Sequence, residues 1–349
     1  MDKYEAVGVS VAVVKNNRII YTGSFGFKDR DKSVKLRNKD LFRIASVSKT
    51  VVATAIMQLV DKGCLSLDDD VNDYLGFKVT NPSFPDEPIT IKMLLCHRSS
   101  INDSQGWIKT SFDNINPQKN SNSHLCYSDY APGSKFQYCN LNYELLGAVI
   151  ENVTGQRFDK YVRKQILNPL NIKGSFNVDE LNHRLFVNSY LYNQQTKSLD
   201  NYELTYKSFL ADISDYDIGY NSSVFSPASG LKITAKDLAR YMIMHMNCGT
   251  YKKKQLISEK SEHVMRLAPP DNNGYSLSLY HYSNIIPNEV LIGQTGGLFG
   301  IFTAMIYHPE KKYGFVVFCN GCKSQYRDGH DLNFDIIKTL HNVFINTDS

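Results

Sequence analysis

Residues 7–14 alternate small and branched apolar side chains, Asn16-Asn17 supplies a turn, and residues 18–23 return, the pattern of a β-hairpin. Gly23, Gly26 and the charged residues 28–32 read as a loop leading to a helix that begins at or just before Ser46. The run 51–60 is almost all apolar, which predicts a helix buried all round, and Lys62-Gly63 ends it. From about residue 70 to residue 207 the pattern changes to short helices separated by Pro, Asn and Asp clusters. Residues 90–95, 141–154 (closed by Gly155) and 158–167 read as helices, and 102–130 as an irregular polar and aromatic loop beside a cleft. Helices are expected over 234–246 and 258–267, strands over 277–279, 290–293, 300–307 and 313–319, and a closing helix over 331–344.

Strands at both ends and helices between them predict an α/β chain of the α+β type. An antiparallel sheet built from the N- and C-terminal segments (residues 1–69 and 231–349) is flanked by helices, with residues 70–230 inserted as a mostly helical lobe. A cleft where the lobes meet is the expected place for a site.

Composition narrows the function. The chain of 349 residues is 42% hydrophobic, with 39 basic and 35 acidic residues well interspersed, a net charge of +4 too mild for a nucleic-acid partner. Lys252-Lys253-Lys254 reads as a solvated turn. No run reaches the roughly 18 apolar residues of a membrane span, and residues 1–5 do not read as a signal peptide. Seven cysteines, an odd number in a large chain, are expected to be mostly free buried thiols, with Cys319-Asn320-Gly321-Cys322 a coincidence at a strand end. Neither they nor the nine scattered histidines suggest a metal, and no cofactor is expected.

Candidate chemistry begins at Ser46 and Lys49, three residues apart and so on one face of the helix. A serine hydroxyl needs a neighbour to take its proton, and a lysine serves only when burial or nearby cations depress its pKa. The apolar run after Lys49 suits that, and the helix N-terminus favours an oxyanion beside Ser46. The alternative is a serine near a helix start with a solvated lysine. The second Ser-x-x-Lys, Ser229 and Lys232, contains Gly230 and precedes a helix start, so it is set aside as loop. Alone, Tyr138 is one of 22 tyrosines and reads as packing, Asn140 as a helix N-cap, and Thr295-Gly296-Gly297 as a bend at a strand edge.

Taken jointly, Phe42-Arg43-Ile44-Ala45-Ser46-Val47-Ser48-Lys49, Tyr138-Cys139-Asn140 after Pro132-Gly133, and Gly293-Gln294-Thr295-Gly296-Gly297, in that order, resemble the motifs of the serine β-lactamase and penicillin-binding protein superfamily, in its class C β-lactamase-like branch. Similarity continues through residues 94–100, 227–231 and 237–239 and so over nearly the whole chain. The resemblance implies a β-lactamase/transpeptidase-like single domain and a serine hydrolase that forms a Ser46 acyl-enzyme with a small amide or ester: a β-lactam, a D-amino-acid peptide or an ester-like substrate. It implies that Lys49 and Tyr138 share the general-base work, Tyr138 kept partly as phenolate by neighbouring positive charge. Asn140 would bond Lys49 and the substrate, the N–H groups of Ser46 and Gly297 would hold the oxyanion, and Gln294, Thr295 and Gly296 would bind substrate. Two departures stand out. Gln294 replaces the expected Lys or His, which favours a second reading, a penicillin-binding-type protein that acylates with little turnover. The chain also begins almost at its first strand, where the resemblance expects a preceding helix, which suggests a trimmed chain, a lost leader and an extracytoplasmic location, a cytoplasmic one staying open.

Overall fold

Asn16 and Asn17 both adopt the left-handed conformation, at φ 54° and 58°, which gives the two-residue turn whose twist matches the strands it joins. That turn connects β1 (Gly8–Lys15) to β2 (Arg18–Asp29), and β3 (Val34–Lys35) pairs with the far end of β2. The computed structural model describes residues 2–202, 206–267, 274–323 and 330–346.

Along the chain follow β4 (Phe42–Arg43), α1 (Ser48–Asp61), α2 (Ile91–Leu95), α3 (Leu141–Thr154) and α4 (Phe158–Val162). Then come the hairpin β5 (Ser189–Asn193) and β6 (Ser198–Tyr202), β7 (Lys232–Ile233), α5 (Ala235–Met246), the small hairpin β8 (Thr250–Tyr251) and β9 (Lys254–Gln255), and α6 (Glu259–Arg266). The last part comprises β10 (Tyr280–Tyr282), β11 (Leu291–Leu298), β12 (Ile301–His308), β13 (Tyr313–Cys319) and α7 (His330–Phe344). The main sheet is antiparallel in the order β10-β11-β12-β13-β1-β2-β3, so the first strand is central and lies between the second and the last.

Alternation along the central strands separates two cores. Ala12, Val14, Met305, Tyr307, Val316 and Phe318 face a large cluster shared with α1, α3 and α5. Val9, Val11, Val13, Ile306, Phe315 and Val317 face a smaller one closed by Leu332 and Ile337 of α7. The helices begin where side chains cap them. Thr90, Thr234 and Ser258 accept from the backbone N–H three residues on, and Gly155 at φ 63° ends α3.

Three expectations shift. β2 continues to Asp29 through the region expected as a loop, because pairing with β1 and β3 satisfies its backbone while its side chains stay half-exposed. The strand placed at 277–279 lies at 280–282, and the one placed at 290–293 runs to Leu298 through its glycines, since β10 and β12 flank it. Lys232, set aside as loop, is a buried residue of β7 whose Nζ donates to the Phe176 carbonyl at 2.9 Å. All seven cysteines are free, five of them buried. Among the described residues no helix is long and apolar enough to cross a membrane.

β4 pairs with β7, Phe42 opposite Ile233 and Arg43 opposite Lys232, and the Phe42 ring lies 5.2 Å from that of Phe318 on β13. This contact seats the segment entering Ser46 on the sheet. Phe318→Ala is therefore expected to cost about 3–5 kcal/mol in urea unfolding, whereas Ile20→Ala on the exposed side of β2 should stay within about 0.5 kcal/mol.

Candidate active site

The chain reaches Ser46 under tension. Ala45, a residue with a Cβ, is held at φ 47°, a conformation costing of order 1–3 kcal/mol that persists only where neighbours enforce it. The neighbours are specific. Ile44 N–H donates to Leu231 O at 2.9 Å, the Thr303 hydroxyl donates to Ile44 O at 2.7 Å, and Leu231 N–H donates to the Ser48 hydroxyl at 3.1 Å. A single tight turn, Ala45–Val47, then passes into α1. Gly296 of β11 presses on this turn: a Cβ there would lie 2.8 Å from Ser46 N, 2.7 Å from Ile44 O and 2.6 Å from Thr303 Oγ1. Close backbone approach is thus what the glycine permits. Gly297, next along the strand and paired with Phe302 of β12, is exposed.

Three residues after Ser46, as the second residue of α1, Lys49 is fully buried. Its Nζ lies 3.1 Å from Ser46 Oγ, 2.8 Å from Asn140 Oδ1 and 3.0 Å from the Ala228 carbonyl oxygen, and 4.9 Å from the centre of the Tyr138 ring. Among the described residues no carboxylate forms an ion pair with it. Burial pulls its pKa down to about 7, against the opposing pull of Glu144 and Asp103. Glu144, inside α3, accepts from Ala228 N–H at 3.2 Å, and burial pushes its carboxyl well above the usual carboxylate range.

Tyr138 packs against His97, ring centres 4.2 Å apart, and against Tyr275. His97 is a neutral ring, its pKa lowered by burial and by Lys49, and its Nδ1 accepts from Cys139 N–H at 3.2 Å. Desolvation pushes the Tyr138 phenol up, and the Ser46 hydroxyl, its hydrogen-bond partner, only partly offsets this. This direction runs against the expected partial phenolate, since desolvation favours the protonated phenol. Gln294 explains part of it. The side chain is buried, its Nε2 donates to Tyr275 Oη at 3.2 Å, and its Oε1 accepts from Thr295 N–H at 3.1 Å, so an amide and a phenol occupy the place of a charge. The Tyr282 hydroxyl lies 3.5 Å from Thr295 Oγ1.

The structure thus brings Ser46, Lys49, Tyr138 and Asn140 together and sets Gly296 against Ser46. Asn140 occupies the N-cap position of α3, but its side chain makes no cap bond there. Sequence reasoning missed Asp103, which accepts from Asn140 N–H and Leu141 N–H in that role, as well as Glu144, Ala228 and Tyr275. No local spacing signals a carboxylate that caps a helix 37 residues further on.

The Beta-lactamase family profile matches residues 1–335. The chain belongs to the Beta-lactamase family. Protein flp of Staphylococcus aureus (strain MRSA252) is 27% identical over 324 residues, which cover 92% of this chain and 60% of that protein, so the chain spans about 60% of the length of the flp relatives it matches. Among solved structures, an octameric penicillin-binding protein homologue from Pyrococcus abyssi superposes with a TM-score of 0.76 at 24% identity, over 97% of this chain and 74% of that one. A D-amino acid amidase from Ochrobactrum anthropi SV3, complexed with D-phenylalanine, does so with 0.73 at 19% identity, over 97% and 94%. At these identities the likeness is one of fold.

For this member of the Beta-lactamase family the Gly296 contact gives a direct prediction. Gly296→Ala is expected to destabilise the protein by about 1–3 kcal/mol through overpacking against the Ser46 turn, read as a lower urea midpoint with unchanged slope. A midpoint equal to wild type would mean that β11 and the turn are not in contact in solution.

Proposed function

We propose that the chain is a serine hydrolase in which Ser46 is acylated by a small amide or ester that carries no carboxylate, a D-amino-acid amide or ester being the substrate class that fits best. The observation that carries this reading is Lys49 Nζ, buried and 3.1 Å from Ser46 Oγ. A neutral amine has two N–H bonds and one lone pair. Asn140 Oδ1 and Ala228 O, at 2.8 and 3.0 Å, take the two N–H bonds, which leaves the lone pair for the serine proton.

Ser46 Oγ then attacks the carbonyl carbon as its proton passes to Lys49. The carbonyl electrons move onto oxygen, held by the N–H groups of Ser46 and Gly297. Collapse breaks the bond to the leaving group, which takes a proton from Tyr138, and the Lys49 ammonium restores that proton. Water releases the acyl group by the same steps in reverse. Tyr138 is assigned here as the proton donor of acylation, in keeping with the upward shift of its phenol, and in deacylation it relays the proton of water to Lys49.

Substrate class follows from charge. Gln294 engages Tyr275 and offers no cation to a substrate carboxylate, so carboxylate-bearing β-lactams and peptides are disfavoured against neutral amides and esters. The amidase fold neighbour is consistent with this choice. The second reading, acylation without useful turnover, draws on the same residue, and intact-mass measurement separates the two. Turnover of a D-phenylalanine amide and an aryl ester that is abolished in Ser46→Ala supports the hydrolase. A lasting Ser46 adduct supports the binder, and neither result for any compound overturns both.

The lowered Lys49 pKa sets the pH dependence. The neutral amine is the working form, so kcat/KM should rise about tenfold per pH unit below a midpoint of about 7 and level off above it. A flat profile between pH 5 and 9 would contradict the assignment of Lys49 as base. Gln294→His should raise kcat/KM for carboxylate-bearing substrates, by about tenfold for one added charge contact, while neutral esters change little. An equal change on both substrate types would remove Gln294 from the account of specificity.

A further inference from the structure

Asp103 lies in the irregular loop ahead of α3, and both of its oxygens are met by donors of the Tyr-Cys-Asn motif. Oδ2 accepts from Asn140 N–H at 2.9 Å and from Asn140 Nδ2 at 2.8 Å, while Oδ1 accepts from Leu141 N–H at 3.0 Å and from the Cys139 thiol at 3.2 Å. Two of these bonds cap the helix, a structural task. The bond to Nδ2 is different in kind. A carboxamide has one donor end and one acceptor end, so tying Nδ2 to a carboxylate leaves Oδ1 facing the opposite way, where it meets Lys49 Nζ at 2.8 Å.

We propose that Asp103 is a positioning residue for the acylation step, fixing through the Asn140 amide the direction in which the Lys49 lone pair meets Ser46. This rests on the reading of Ser46 and Lys49 as nucleophile and base. With the amide reversed, Oδ1 would face the Asp103 carboxylate, a repulsive contact, and Nδ2 would face the amine and claim the lone pair that Ser46 needs. Once Oδ1 and the Ala228 carbonyl hold the two N–H bonds, Ser46 Oγ is the remaining neighbour at hydrogen-bond distance. Remove the carboxylate and the amide is free to turn. The amine can then spend a hydrogen on Ser46, and the hydroxyl loses its acceptor.

Asp103 acts also on charge, because it favours the protonated form of Lys49. Its neutral replacement therefore moves the acid limb to lower pH even as it lowers the plateau, a combination that a helix cap alone does not produce.

The test compares wild type, Asp103→Asn, Asn140→Ala and the double variant as full-length chains, with a p-nitrophenyl ester as probe and Tm recorded for each. Asp103→Asn is expected to lower plateau kcat/KM on the order of 10²-fold, to shift the acid limb downward, and to cost less than about twofold further in the Asn140→Ala background. An equal loss in both backgrounds, or an acid limb that stays put while activity tracks Tm, overturns the proposal. A crystal structure of Asp103→Asn provides a readout independent of turnover, and a Lys49–Asn140 Oδ1 contact still at 2.8 Å would equally overturn it. If Asp103→Asn does not fold, Asp103→Ser, which keeps an acceptor for the helix end but no carboxylate for Nδ2, takes its place. Failure of wild type to acylate at Ser46 would refute the function and leave the crystallographic arm to decide the positioning.

Discussion

A lysine amine buried without an ion pair is the constraint around which this site is arranged. An ammonium taken out of water costs several kcal/mol unless a counter-charge accompanies it, and Lys49 has none within 4 Å among the described residues. The amine therefore gives up its proton easily, and its environment supplies oxygen acceptors in place of charges: a carboxamide, a backbone carbonyl and the serine hydroxyl. The surrounding fold keeps these acceptors in place. The turn carrying Ala228 is held by the Arg43 guanidinium through the Ser229 carbonyl and hydroxyl, and by Glu144 through the Ala228 N–H. The strained residue ahead of Ser46 is held by β11, β12 and Leu231, just ahead of β7.

Neutrality extends beyond the amine. Glu144, His97 and Tyr138 are each driven by burial toward their uncharged forms, and Gln294 and Tyr275 hold each other where a cation was expected. A cleft walled in this way has little with which to repay the desolvation of a substrate carboxylate. In the proposed mechanism, Gln294 thus connects three features: the upward shift of the Tyr138 phenol, the preference against a substrate carboxylate, and the choice of Lys49 as proton acceptor.

Local signals in the sequence reached far. The Asn-Asn hairpin, the helix starts at Thr90, Thr234 and Ser258, the stop at Gly155 and the Ser46–Lys49 spacing all express chemistry contained within a few residues. What escaped depends on partners distant in the chain. β2 keeps its strand through Asp29 because neighbours on both sides satisfy its backbone, which its charged composition concealed. Asp103 caps a helix that begins at Leu141, and Ala228 delivers its carbonyl across the core. The phenolate expected of Tyr138 presumed a cation whose absence could be read at Gln294. The weight of burial on the phenol could be read only from the packed rings of His97 and Tyr275.

The ionisation of Lys49 is the central claim, and NMR titration of the protein labelled at lysine Cε observes it without any substrate. One resonance, absent from Lys49→Met, should titrate with a midpoint of about 7. If every lysine resonance instead titrates near the ordinary value of about 10.4, the amine is not desolvated, and the account of this site fails.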